Sequence, residues 1–214
     1  MKDLSVSNSQ ILFIHGFNSS PKSLKAEKAR EFFQRNYPQI GFHCPQLQNT
    51  PVEAMAQLLE IVNSQPDSQW YFIGSSLGGY FATYLADKFS SKAVLVNPAV
   101  KPFELLQGVL GEHTNPYTAQ TYQVTSEHLQ SLREFFVSIN QPENFLVMVQ
   151  TGDEVLDYRQ AVEKYKQCQM IVQQGGDHSF VGFANMLDDI VNFFQFHMSN
   201  VNNNSNNSTA RLSR

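Results

Sequence analysis

Between residue 10 and about residue 198, short apolar runs alternate with stripes of helical period. The runs cover 11–15, 41–44, 70–74, 93–97, 145–151 and 169–173, each bounded by Gly, Pro or polar residues and rich in Ile, Val, Phe or Leu. They are continuous rather than alternating, which fits strands buried on both faces of a parallel sheet. Between them, Val52, Met55, Leu59 and Val62 fall on one helical face. So do Leu77, Phe81, Tyr84 and Phe89, and again Phe183, Leu187, Ile190 and Phe194. Strand–helix–strand order repeated in this way predicts right-handed crossovers and an α/β architecture: a doubly wound, mostly parallel six-stranded sheet. Residues that follow the strands then meet at one carboxyl edge, although they are far apart in sequence.

One connection breaks the rhythm. About 45 residues separate the fourth and fifth strands, where a crossover needs roughly a dozen plus turns. Segment 98–144 carries a helical pattern at Leu129, Leu132, Phe136 and Ile139 and a shorter one around 103–110. It predicts a helical insertion that acts as a lid or pocket wall, or else a helix pair on the sheet edge. Residues 199–214 are Asn/Ser-rich without apolar periodicity and read as a disordered tail, leaving 1–198 as a single domain.

Composition narrows the function classes. The chain has 214 residues, 42% of them hydrophobic, and 17 Phe, enough for a large core and against global disorder. With 15 Lys+Arg and 19 Asp+Glu the net charge is −4, so a basic footprint for nucleic acid is absent. No run approaches the ~18 apolar residues of a membrane span, and MKDLSVSNSQ lacks the apolar centre of a signal peptide; the expectation is cytoplasmic. Cys44 and Cys168 make no disulfide framework or CxxC pair. The six histidines show neither HxH nor HExxH spacing, and no metal site is expected.

Candidate chemistry falls at four strand ends. Gly74-Ser75-Ser76-Leu77-Gly78 joins the third run to a helical stripe. Such a Gly-x-Ser-x-Gly turn exposes the central hydroxyl and aims the next N–H, that of Leu77, at a developing oxyanion. After the first run, His15-Gly16-Phe17 brings backbone close to that turn; the Phe17 N–H is the second candidate donor, and His15 is either a base or a loop brace. After the fifth, Thr151-Gly152-Asp153-Glu154 offers Asp153 to orient a histidine, with Asp157 reading as a helix N-cap and Glu154 held in reserve. After the sixth, Gly175-Gly176-Asp177-His178 puts His178 on a glycine-rich loop as general base, Asp177 being a solvated or capping residue. The chain order is Ser76, Asp153, His178.

Together ILFIHGF, WYFIGSSLGGYFATYLA, AVLVNPAV, TGDEVLDY and GGDHSF resemble the α/β-hydrolase superfamily, and more narrowly the YqiA-type bacterial esterases. His15-Gly16-Phe17 through Lys25 and Asn97-Pro98-Ala99-Val100-Lys101-Pro102 carry the narrower likeness, which spans about residues 10–196. The resemblance implies a compact α/β-hydrolase fold lacking the usual first two strands, with Ser76 as nucleophile, Asp153 as acid and His178 as base. It implies hydrolysis of small or medium acyl esters or thioesters, with a small-molecule acyl ester as the partner and no cofactor. Its sheet order would put Cys44 and Cys168 at opposite edges, roughly 24 Å apart at ~4.8 Å per strand, too far for a disulfide. Phe17, Tyr80, Phe103, Tyr117, Tyr122 and Phe180 lie in segments that could line an apolar pocket. A non-catalytic ligand-binding module, or a lyase or C–C hydrolase on the same scaffold, are the alternative readings.

Overall fold

The computed structural model describes residues 8–196; the tail assigned to 199–214 lies outside them. Six parallel strands form one sheet: β1 (Ser9–Ile14), β2 (Gly41–His43), β3 (Gln69–Ser75), β4 (Ala93–Val96), β7 (Phe145–Gln150) and β8 (Gln169–Gln173). Their order is β2-β1-β3-β4-β7-β8, and every neighbouring pair is parallel. The six apolar runs of the sequence are these six strands, within one or two residues at each end.

The runs are continuous because both faces of the sheet are covered. Leu12, Ile14, Phe72, Leu95, Val147 and Val149 join one buried cluster, under α2 (Pro51–Asn63), α3 (Leu77–Phe89) and α6 (Tyr158–Lys164). Their alternates Ile11, Phe13, Ile73, Val94, Leu146 and Met148 join the opposite cluster, under α1 (Leu24–Asn36) and α7 (Leu187–Phe194). A side chain of this size stabilises by roughly 1.5–3 kcal/mol when fully buried, so neither face can be left to water.

Local readings shift in three places. Helix α1 carries no stripe of large residues; Ala26, Ala29 and Phe33 are what it buries. In α2 the inward face is Ala54, Met55, Leu58 and Val62, while Val52 is 53% exposed. The connection 98–144 is not purely helical. After α4 (Pro102–Leu105) and a 3₁₀ turn (Leu106–Val109) come β5 (Gly111–Thr114) and β6 (Thr121–Val124), an antiparallel pair, then α5 (Ser126–Glu134). The stripe continuing to Phe136 and Ile139 stops with α5, and Phe136 is partly exposed.

Cys44 follows β2 and Cys168 precedes β8, at opposite edges of the sheet. Burial pushes the Cys44 thiol up to about 12 and the Cys168 thiol up to about 11, so neither is poised as a thiolate nucleophile. Among the described residues no helix is long and apolar enough to cross a membrane.

The start of α3 is crowded against the sheet. A Cβ on Gly78 would lie 2.0 Å from the Ile14 carbonyl oxygen, and one on Gly74 2.3 Å from that of Gly78. Backbone cannot give way as a flexible side chain can. Gly78→Ala is expected to lower stability by at least about 1–3 kcal/mol, read as a lower urea midpoint at unchanged m-value; an unchanged midpoint would contradict this packing.

Candidate active site

Ser76 caps the N-terminus of α3 with φ 56° and ψ −121°, an unfavourable conformation for a residue with a Cβ. Its backbone is tied on several sides. The N–H donates to Val96 O (3.1 Å), and the carbonyl accepts from Gly79 N (2.9 Å) and Ala99 N (3.0 Å). The strand-to-helix turn thus holds the hydroxyl out at the carboxyl edge.

His178 stands over that hydroxyl, with Nε2 3.1 Å from Ser76 Oγ. Its Nδ1 lies 2.8 and 3.0 Å from the two carboxylate oxygens of Asp153. The carboxylate assigns the proton to Nδ1, leaving the Nε2 lone pair toward the serine. Asp153 is itself fixed: Oδ1 accepts the N–H groups of Val155 (2.9 Å) and Leu156 (2.8 Å). Burial pushes its pKa up, but the hydrogen bonds from His178, Leu156 and Val155 outweigh burial and hold it below the ordinary carboxylate value.

The neighbouring acids have other partners. Asp157 caps α6 through the Arg159 N–H and pairs with the Arg159 guanidinium. Glu154 accepts the backbone N–H of His178 (3.0 Å), and Asp177 accepts the Ser179 hydroxyl. His15 is a brace: Nδ1 donates to Gly16 O (2.9 Å) and Nε2 accepts from Leu47 N (3.1 Å), so both ring nitrogens are engaged. Burial pushes its pKa down, which favours the neutral ring.

The loop after β1 passes within van der Waals reach of the serine; a Cβ on Gly16 would sit 3.1 Å from Ser76 Cβ. Phe17 and Leu77, the predicted oxyanion donors, flank Ser76. Neither N–H donates to another group among the described residues, Leu77 being in the first turn of its helix. The β5–β6 pair docks on this loop. Tyr122 Oη donates to Asn18 Oδ1 (2.7 Å), Asn115 Nδ2 donates to Ser19 O (3.1 Å), and the Phe17 ring meets His113 and Tyr122 edge-on.

Two clefts meet here. One, of about 50 Å³, lies under the insertion; Phe17, Leu77, Phe81, Tyr122, Val124 and Leu132 are among its mainly apolar walls, with Asn18, Gln46 and His128 among the polar ones. The other, of about 390 Å³, is a groove past Ser76 and His178, edged by Ser23, Lys25, Tyr117 and Glu154. Tyr80, Phe103 and Phe180, expected to line a pocket, are instead buried in the core.

The sequence reading missed the residues that hold the histidine loop. Asn97 Nδ2 donates to the carbonyls of Asp177 (3.0 Å) and His178 (3.4 Å), while its Oδ1 accepts from Gln150 N (2.9 Å). Gln150 Oε1 accepts from the N–H of Asp177 (3.1 Å) and Val181 (2.9 Å), and its Nε2 donates to Val181 O (2.7 Å). A Cβ on Gly176 would strike Gln150 Oε1 at 2.0 Å. The available signal was a polar residue closing each of two otherwise apolar runs.

The family model described as Uncharacterised protein family (UPF0227) matches residues 10–195. Among solved structures, Est1E from Butyrivibrio proteoclasticus with ferulic acid bound is 14% identical over 91% of this chain and 90% of that one, with a TM-score of 0.69. Alpha/beta hydrolase domain-containing protein 10 from mouse is 16% identical over 86% and 89%, with a TM-score of 0.64. XC6422 from Xanthomonas campestris, a serine hydrolase without lid, is 12% identical over 90% and 84%, with a TM-score of 0.58. At such identities the likeness is one of fold.

Asn97 sits at φ 41° with its side chain buried, so truncation leaves polar groups unpaired and a left-handed backbone without its anchor. Asn97→Ala is expected to cost about 1–3 kcal/mol and to speed amide exchange at 177–180. Unchanged exchange there would contradict the bracing role.

Proposed function

The chain belongs to the UPF0227 family and has the α/β-hydrolase fold, and on that footing we propose that it is a serine hydrolase cleaving carboxylic esters or thioesters of short acyl chains. The observation that carries the reading is the row Ser76 Oγ, His178 Nε2 at 3.1 Å, and His178 Nδ1, Asp153 Oδ2 at 2.8 Å. Both gaps are hydrogen-bond lengths, and the order of roles matches the need for a base held in one tautomer.

In this mechanism Ser76 Oγ attacks the ester carbonyl as Nε2 of His178 takes its proton. The imidazolium is stabilised by the Asp153 carboxylate, whose pKa the surrounding N–H donors keep low. The carbonyl oxygen becomes an oxyanion between the Phe17 and Leu77 N–H groups. Nε2 returns the proton to the leaving oxygen or sulfur, which departs and leaves an acyl-enzyme on Ser76. Water then attacks the acyl carbon as it gives a proton to Nε2, and Nε2 hands that proton to Ser76 Oγ as the Oγ–acyl bond breaks and the acid leaves. The insertion serves as a fixed wall of the acyl pocket, since its hairpin is hydrogen-bonded to the oxyanion loop. The cleft that Leu77 lines is small, about 50 Å³, which favours a short acyl chain.

The acyl-enzyme gives the test. Acid quenching during turnover of p-nitrophenyl butyrate, followed by peptide mapping, should recover butyrate on Ser76; full turnover with no acyl group on Ser76 would overturn the proposal. Ser76→Ala should lower kcat by on the order of 10⁶, the loss expected when a serine nucleophile is removed, with an unchanged circular dichroism spectrum. Asp153→Asn should lower kcat by roughly 10⁴, because an amide in that place favours the wrong imidazole tautomer. Retention of most activity in either variant would remove that residue from the mechanism.

A further inference from the structure

The groove at Ser76 and the cleft at Leu77 share His15, Gly16 and Phe17 and differ in chemistry, and the mechanism decides which takes which half of the substrate. General acid catalysis requires the leaving atom to face His178 Nε2. Ser76 and His178 edge the groove and not the apolar cleft, while Leu77, whose N–H is a candidate oxyanion donor, edges the apolar one. The acyl chain therefore runs into the apolar cleft and the leaving group lies in the groove.

The groove carries a cation with an incomplete shell. Lys25, in the first turn of α1, reaches across to the histidine loop, where Nζ donates to Ser179 O (2.8 Å) and weakly to His178 O (3.5 Å). An ammonium has three N–H bonds, so at least one is left over. Among the described residues no carboxylate is in ion-pair contact with Nζ. Asp177 and Asp153 act on it only through space, and the groove's own acid, Glu154, is turned to the His178 N–H. Removal from water pushes the Lys25 pKa down to about 8, which still leaves the ammonium dominant at neutral pH. The Ser19 and Ser23 residues border the same space.

We propose that this groove is a leaving-group site for an alcohol or thiol bearing an anionic group, which the Lys25 ammonium holds while His178 protonates the departing atom. The proposal rests on the acyl-transfer reading. It explains why a charged side chain stands half-buried at the rim without a carboxylate of its own, a costly arrangement unless a ligand completes it. The substrate class is thus a short-chain ester or thioester whose larger, polar portion is the part released.

The test compares butyrate esters of meta-hydroxybenzoate and of meta-hydroxyphenyl phosphate with that of methyl meta-hydroxybenzoate, a neutral reference. In the wild-type protein at least one anionic ester should exceed the neutral one in kcat/KM by about tenfold, the size expected of one hydrogen bond to a charged group. Which of the two does so tells carboxylate from phosphate. The readout is the ratio within each variant, so that any general loss from a looser histidine loop cancels. Lys25→Met should bring the ratio to one or below, and Lys25→Arg should retain it. If Lys25→Met does not fold, salt of about 1 M, where the screening length falls to ~3 Å, should reduce the wild-type preference severalfold. A wild-type ratio near one for both anions, or a preference that survives Lys25→Met or high salt, overturns the proposal. Failure to hydrolyse any of the three esters, with no acyl group on Ser76, instead defeats the acyl-transfer reading and this proposal with it.

Discussion

The site depends on one constraint, the close approach of α3 to the carboxyl ends of β1 and β3. With no Cβ at Gly74 or Gly78, the helix start lies against the Ile14 carbonyl, and the single residue spanning strand and helix must turn sharply. Ser76 takes that turn at φ 56°. Such a conformation costs on the order of 1–3 kcal/mol and persists only where its surroundings over-determine it. Here they do: Val96, Gly79 and Ala99 hold its backbone, and β1, β3 and β4 are buried on both faces. The same approach brings Gly16 and Phe17 beside the serine, so one packing event positions both the hydroxyl and the candidate oxyanion donors.

The histidine is placed by a different means. Its loop is anchored by the buried Phe180 ring and held by side-chain amides rising from the sheet. Asn97 and Gln150 stand at the ends of β4 and β7, both buried, and between them bond the backbone of Asp177, His178 and Val181. Buried polar groups are costly when half satisfied and stiffening when fully satisfied. These are well satisfied, and they fix the loop relative to the two strands that flank the serine turn. Glu154 and Lys25 add contacts from either side. The candidate triad is thus three side chains whose loops are hydrogen-bonded to one edge of the sheet.

What could be read from the chain follows from range. The six strands were legible because burial on both faces writes itself as an unbroken apolar run. Ser76, Asp153 and His178 were legible because a parallel sheet gathers its strand ends, so that position after a strand is already spatial information. Helix α1 was not, because close packing against the sheet is met there by Ala26 and Ala29, which leave no stripe. The β5–β6 pair was not, because its residues are largely exposed and polar. Tyr80, Phe103 and Phe180 read as pocket residues only as long as aromatic character stands in for geometry; long-range packing buries all three. The same limit hid Asn97, Gln150 and Lys25, whose partners lie about 30 to more than 150 residues away.

A crystal structure of the protein after reaction with a short alkyl fluorophosphonate measures this arrangement directly. The expected structure has phosphorus bonded to Ser76 Oγ, the phosphonyl oxygen about 2.7–3.2 Å from the nitrogens of both Phe17 and Leu77, and the alkyl chain turned under the insertion toward Phe81 and Leu132. An adduct on another residue, or a phosphonyl oxygen turned away from those two nitrogens, would contradict it.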